Sequence, residues 1–474
     1  MKAKLYKIHR VLSLVIFVPV ILWSLSGILH PIMANWFRVS PAQKTGITET
    51  HLADSSRIAI QDLCLQNNIN QAENIGLTYL DQEEVYQIKQ NGIISYYATH
   101  SGNEIENGDE LFAIKLARHY SGDNEAPISS IEKIKTYTDE YKIINRHLPV
   151  YKVSLDRSDG LEVYVHTESG GLGTISNNSR NVFLWCFSMF HNWNFLGSNQ
   201  TFKSTIILLF SILVFFNGIL GLVIYWKNRK AFRLQKKSND KLKPRKRHRK
   251  FSLYASIFLL AFSFSGGYHT IQKFDYVLLN NLAPQTSYNI NEYNFSIDEI
   301  INDCGPIAKL SLAELNNDPY LRVKDTSATN QFAYYNLNSK MWLENGDEKY
   351  AIERTLELSG FNEDDVKSTE FITHYTKAYG FINKRLPVYA VNLNSDDNLT
   401  YYIETSTGIP GAVQSDGGKL EVLSFLFLHK YHFLDFMGKG WRDLISSIAS
   451  FSLVIISLTG FIIWLRANRR KKIK

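Results

Sequence analysis

Four runs of apolar residues, Val11 to Leu29, Thr205 to Trp226, Phe251 to His269 and Leu444 to Leu465, set the terms on which this chain can fold. Each is nearly free of charge, and at about 1.5 Å of rise per residue each roughly matches a hydrocarbon core of ~30 Å. They predict four transmembrane helices. The lysines and arginines then orient them: the N-terminus carries Lys2, Lys4, Lys7 and Arg10, the middle connector is KNRKAFRLQKKSNDKLKPRKRHRK, and the tail is RANRRKKIK. By the positive-inside rule these three segments face the cytoplasm. The long intervening loops, about Ala34 to Phe202 and Ile271 to Arg442, fall outside and are left net acidic. The formal charge of +7 is therefore a topology signal. No nucleic-acid partner is indicated, and the connector is expected to lie on membrane lipid headgroups.

The first helix is expected to stay in the membrane. Its apolar region is long, no small-residue cleavage site follows, and its counterpart at Phe251 lies mid-chain. Cys64, Cys186 and Cys304 form no Cys-x-x-Cys, so neither a zinc knot nor covalent haem attachment is indicated. A disulfide between Cys64 and Cys304 is left open.

The chain reads as a duplication. A shift of about 239 positions takes His9 to His248, His30 to His269, ENGDE at Glu106 to ENGDE at Glu344, and LPVY at Leu148 to LPVY at Leu386. YTDEYKIINRHLPVYKVSLD falls on YTKAYGFINKRLPVYAVNLN without a gap, and FHNWNFLG falls on LHKYHFLD. Each unit is helix, outside domain, helix, so a pseudo-twofold along the membrane normal is expected. In the outside domains YKVSLD, LEVYVHTESGGLG, YAVNLN and LTYYIETSTGIPG alternate apolar and polar residues as hairpins do, while DELFAIKLARHY and DEKYAIERTLEL have helical spacing with an acidic first turn. The predicted parts are a first transmembrane helix (1–33), an outside domain (34–180), an interfacial segment with the second helix (181–226), the basic connector (227–250), the third helix (251–271), a second outside domain (272–418), an interfacial segment with the fourth helix (419–465) and a cytoplasmic tail (466–474).

The opening HRVLSLVIFVPVILWSLSGILH, the strand-turn VYVHTESGGLG, the histidine after the second outside strand region and the final LTGFIIWLR together resemble the PepSY-associated transmembrane proteins, the iron-regulated membrane proteins that include ferric-siderophore reductases. The resemblance runs over essentially the whole chain. It implies a bacterial inner-membrane protein with both termini cytoplasmic, having four transmembrane α-helices in two tandem repeats, each with an inserted α+β PepSY-like periplasmic domain. In the reductase members it also implies haem b held by helix histidines.

The histidines suit that chemistry. Ionisable side chains in membrane helices are expensive, and a neutral imidazole is a good axial ligand for haem iron. His9 and His30 are separated by about 31 Å of helix rise and lie on roughly one face at opposite membrane surfaces; His248 and His269 repeat the spacing. His191 and His429 occupy matching places before the second and fourth helices. The expected iron ligands are His30, His191, His269 and His429, with His9 and His248 as a further cofactor-binding pair on the inner side; two or more haems are expected. Small residues Ser24, Ser26 and Gly27, and Ser263, Ser265, Gly266 and Gly267, would let a macrocycle or a neighbouring helix approach closely. His432 falls opposite Asn194 and is no symmetric ligand; His100, His119, His147, His166 and His374 are expected to be ordinary surface residues, and Trp36, Trp185, Trp193 and Trp441 to be interfacial anchors.

No Gly-x-Gly-x-x-Gly, Walker loop or flavin-type domain is present, so electrons are expected from a membrane quinol or a separate cytoplasmic donor. No serine, cysteine or metal-histidine constellation points to a peptidase. Two classes of function remain: a haem-bearing reductase acting on a ferric siderophore, and a non-catalytic PepSY protein serving as a periplasmic binding or regulatory module or as an accessory of siderophore transport.

Overall fold

The structure, a computed structural model, describes residues 2–234, 243–274, 278–326, 331–376, 378–380 and 383–472; part of the basic connector and the end of the tail lie outside them. The chain forms two compact units, one of residues 1–38, 179–277 and 417–474, the other of residues 39–178 and 278–416.

Along the chain, α1 (Lys2–Val15) and α2 (Phe17–Trp36) come first, then α3 (Ile60–Gln66), strands β1 (Asn74–Leu80), β2 (Glu83–Gln90) and β3 (Ile93–Ala98), α4 (Gly108–Ser121), and strands β4 (Ile128–Ile134), β5 (Val150–Leu155), β6 (Glu162–His166) and β7 (Gly171–Ser176). Helices α5 (Asn178–Phe190), α6 (Gln200–Leu234) and α7 (Lys243–Ile271) follow. Next are α8 (Ile297–Cys304), strands β8 (Ile307–Leu315), β9 (Asp318–Asp325), β10 (Ala333–Asn336) and β11 (Trp342–Leu343), α9 (Gly346–Ser359), and strands β12 (Val366–Ile372), β13 (Val388–Leu393), β14 (Thr400–Glu404) and β15 (Ile409–Gln414). The chain closes with α10 (Asp416–Ser424) and α11 (Lys439–Lys472).

Four of these helices are long and apolar enough to span a bilayer: Phe17–Trp36, Gln200–Arg229, Pro244–Ile271 and Lys439–Arg469. The first predicted run is divided between α1 and α2. Pro19 has no N–H for the Val15 carbonyl and its ring crowds that carbonyl, and the helix breaks there. Inside the bundle Ile16, Val20, Val214, Ala255, Leu259 and Leu453 form an apolar core.

The other unit is α+β, with antiparallel sheets ordered β1-β2-β3, β4-β5-β6-β7, β11-β10-β9-β8 and β12-β13-β14-β15. The two outside segments share one core, in which Ile60, Leu63, Ile75 and Ile88 pack with Ile290, Ile300, Leu310 and Leu321. Polar ties cross the same junction. Asn74 Oδ1 accepts from the Leu312 N–H at 2.9 Å, and Arg57 donates to Glu84 at 2.7 Å and also to Asp298. Burial works against the Glu84 charge, but hydrogen bonds from His51 and Arg57 hold its carboxyl below the ordinary range.

The duplicated ENGDE motif has a steric cause. Asn107 and Asn345 precede α4 and α9 in left-handed backbone, at φ 56° and 53°. The glycine that follows lies against a tyrosine: a Cβ at Gly108 would stand 2.7 Å from Tyr96 Cβ, and one at Gly346 2.7 Å from Tyr334 Cβ. The aspartate then accepts that tyrosine's hydroxyl, Tyr96 to Asp109 and Tyr334 to Asp347, both at 3.3 Å. The cysteines are free thiols, so Cys64 and Cys304 are not joined.

Candidate histidine sites in the helical unit

The segments before α6 and α11, expected at the membrane interface, run into the bundle. After α5 the Asn192 N–H reaches the Phe187 carbonyl at 3.3 Å, and after α10 the Lys430 N–H reaches the Phe425 carbonyl at 3.0 Å; both close the wide turn of a π-helix. The chain then reverses at Trp193 and Tyr431, whose φ values of 55° and 56° are left-handed. Trp193 is buried and stacks on Trp23 with ring centroids 4.9 Å apart, so it is not an interfacial anchor. Trp36, Trp185 and Trp441 are exposed, as belt residues are.

These two turns carry His191 to the middle of α2 and His429 to the last third of α7. His191 Nδ1 lies 3.1 Å from Ser26 Oγ, and His429 Nδ1 lies 3.1 Å from Ser265 Oγ. Each serine has one proton to give, and each gives it to its own helix: Ser26 to the Leu22 carbonyl at 2.6 Å, Ser265 to the Ala261 carbonyl at 2.8 Å. The serine oxygens therefore accept from the imidazoles. That assigns the proton to Nδ1 and leaves a bare lone pair on Nε2 of both rings. The two rings face each other with centroids 6.3 Å apart, nearly perpendicular at 87°.

His30 and His269 complete this outer set. The His30 ring lies 6.0 Å from the Phe187 ring, and the His269 ring lies 4.8 Å from the Phe425 ring. His269 Nδ1 donates to Glu421 Oε1 at 2.8 Å, a carboxylate–imidazole pair that again frees Nε2. His191 and His429 are each close enough to interact electrostatically with both His30 and His269. His432 stands apart, bonded to Asp435 at 2.8 Å.

The inner pair sits at the other end of the bundle. On α7, His248 and Ser265 are separated by about 25 Å of rise. His248 Nδ1 meets Thr459 Oγ1 at 3.1 Å, and Thr459 gives its proton to the Ile455 carbonyl at 2.8 Å, which fixes the same tautomer. His9 lies near His248, with Asn217 beside it, and among the described residues its Nδ1 is buried without a hydrogen-bond partner. Glycines make room for both rings: a Cβ would stand 3.4 Å from His9 Cε1 at Gly221 and 3.1 Å from His248 Cε1 at Gly460.

Ser26 and Ser265 read from the sequence only as small residues; here they orient imidazoles. Thr459, Glu421, Gly221 and Gly460 were not singled out. In the sheet unit His100 and His374 are exposed and His119 is half-buried, but His147 and His166 are buried, with ring centroids 5.2 Å apart. Burial followed by the charge of Arg385 pushes His166 down to about 3 and His147 well below its ordinary value, so both are neutral. The expectation of surface residues is corrected there: His166 ends β6 facing inward, where its Nδ1 bonds Ser169 at 2.7 Å.

Among the described residues no three or more of His, Cys, Asp and Glu are grouped to hold a bare metal ion. Pairs of imidazoles with free Nε2 are the donor set for an iron whose equatorial positions a macrocycle fills. Trp193 Nε1 and Tyr431 Oη, which among the described residues are buried without hydrogen-bond partners, are further polar atoms a bound group would satisfy. The residues fit a haem.

None of the curated proteins compared with the chain matches it. The profile of the PepSY-associated TM region matches residues 6–296, from α1 to the start of the second outside segment and more than half of the chain. The protein thus belongs to the family defined by the PepSY-associated TM region.

Proposed function

We propose that the protein is an internally duplicated, haem-bearing reductase of the bacterial inner membrane. Both termini and the connector are cytoplasmic, the sheet unit is periplasmic, and electrons pass outward to ferric iron held by a siderophore. The observation that carries this reading is the arrangement of six histidines in two sets within one bundle, with four imidazoles hydrogen-bonded at Nδ1 so that Nε2 is free. Placing redox groups near both faces divides the bilayer into shorter transfers.

His30, His191, His269 and His429 would form the set from which two imidazoles fill the axial positions of a haem b at the outer side, and His9 and His248 would fill those of one at the inner side. The bound haem would supply reversible one-electron iron chemistry. The chain's own part is to fix each imidazole's tautomer and direction through Ser26, Ser265, Thr459 and Glu421, and to keep water from the path with the apolar core around Val214, Leu259 and Leu453. Each ferric ion takes one electron and leaves as weakly chelated ferrous ion. A quinol would supply two electrons and release two protons; a cytoplasmic donor would serve the same inner pair.

The test is ferric-siderophore reduction in oriented membrane vesicles, following ferrous iron with a coloured chelator on the periplasmic side. Donor-driven reduction should be present in the parent and abolished in a His9→Ala/His248→Ala variant whose outer haem still reduces with dithionite. A parent without haem or reduction would instead favour a non-catalytic module.

A further inference from the structure

Charge at the outer histidine set does not balance. Lys430 directly follows His429, and its ammonium lies 5.9 Å from the centroid of the Phe425 ring that stacks on His429. Lys273 follows His269 just beyond the end of α7, and Lys203 on α6 donates to Asn194 Oδ1 at 3.2 Å. All three are half-buried. Lys430 acts electrostatically on His30, His191 and His429, and Lys273 acts on His191.

The nearby carboxylates are already engaged. Glu421 accepts from His269, and Asp443 is held by Lys439 at 3.1 Å and by Asn35 at 2.9 Å. Among the described residues none of Lys203, Lys273 and Lys430 lies within 4.0 Å of a carboxylate, whereas Lys439 and Arg442 do. A half-buried ammonium without a contacting counter-charge is costly, and two of these act electrostatically on the outer imidazoles. Solvation at lipid headgroups would place such lysines at the rim and direct them away from the histidines. Here Lys273 and Lys430 are half-buried and act on the histidines, and among the described residues the buried Trp193 Nε1 and Tyr431 Oη have no hydrogen-bond partner.

Resting on the haem reading above, we propose that Lys273 and Lys430 bind the two propionate carboxylates of the outer haem, so that the site selects a dianionic porphyrin. The imidazoles supply the iron ligands and the second half of the chain supplies both counter-charges. Asn192 occupies the place corresponding to Lys430, and Ala34 the place corresponding to Lys273, so the clamp is one-sided and fixes which way the macrocycle enters.

The experiment titrates haem-stripped full-length protein in detergent with ferric protoporphyrin IX and with its dimethyl ester, reading the Soret band. The parent should bind the diacid roughly tenfold or more tightly than the diester, the scale of a charge-assisted hydrogen bond. Lys273→Gln/Lys430→Gln should bind both alike, at the parent's diester affinity and with an unchanged low-spin spectrum. Lys273→Arg/Lys430→Arg should restore the preference and serves as the control for folding. A parent that binds both porphyrins equally, or a glutamine variant that keeps the parent's preference, would overturn the clamp while leaving the haem reading intact; anion binding by lipid phosphate would give that result. A parent that takes up neither porphyrin would overturn the haem reading itself.

Discussion

The two halves of the chain bring histidines to the same places but support them differently. His191 and His429 are equals, each bonded to a serine at 3.1 Å. The other two pairs are not. His269 has Glu421 and His248 has Thr459, whereas Phe183 stands where His30 would need a carboxylate and Leu220 where His9 would need a hydroxyl. In the sheet unit the halves diverge again: His147 and His166 stack as neutral rings where the second half has the Arg385–Glu404 ion pair. The two halves thus keep histidines in matching places while the groups beside them differ. At the His30–His269 and His9–His248 pairs the second-half imidazole is the better oriented one.

The largest effect is expected where the halves agree. Replacing His191 or His429 by alanine removes an outer ligand, and the haem-to-protein ratio should fall by about one or the remaining signal turn high-spin. Ser26→Ala and Ser265→Ala should act alike, each weakening haem retention by roughly 10–100-fold, since each frees a ring to change tautomer. Unequal serine effects would break the equivalence of these two positions.

A smaller and lopsided effect is expected where they differ. Glu421→Gln should lower affinity for the outer haem and raise its midpoint potential, because a neutral amide supports a basic imidazole less well. Phe183→Leu, at the corresponding place, should leave the potential near that of the parent. Potentiometric titration of both variants decides it. Equal shifts would mean that Glu421 has no special hold on His269.

The smallest effect concerns pH and the sheet unit. His166 is held near 3 in the fold against 6.5 when free, and His147 is also lowered. Below pH 6.5 the unfolded chain therefore takes up protons that the folded chain refuses. Stability contributed by the two neutral rings is complete above that pH and is lost as pH falls toward 3, by at most about 1.4 kcal/mol per unit for each ring. Circular-dichroism melts of the full chain between pH 7 and 5 should show a falling midpoint, and His147→Arg/His166→Glu, which copies the second half, should flatten that fall. An equal fall in both would show that the acid sensitivity arises elsewhere.

These contrasts also explain what could be read in advance. Apolar runs and basic flanks announce the four long helices because the bilayer imposes length and charge directly on sequence. The paired histidines were visible because both halves keep them. Glu421 and Thr459 were hidden for the opposite reason, since the matching places in the first half hold Phe183 and Leu220. The turns at Trp193 and Tyr431 were hidden too, because left-handed φ in an aromatic residue leaves no mark in an apolar pattern. The burial of His147 and His166 arises from packing within a sheet unit that both outside segments build together.

Haem stoichiometry tests the central claim of two histidine sites most directly. The full-length protein, His191→Ala/His429→Ala and His9→Ala/His248→Ala would be purified in parallel and their b-type haem measured against protein by pyridine haemochrome. About two haems in the parent and about one in each double variant, with distinct midpoint potentials for the haem each retains, is the expected result. A parent without haem, or double variants that keep the parent's full complement, would contradict it.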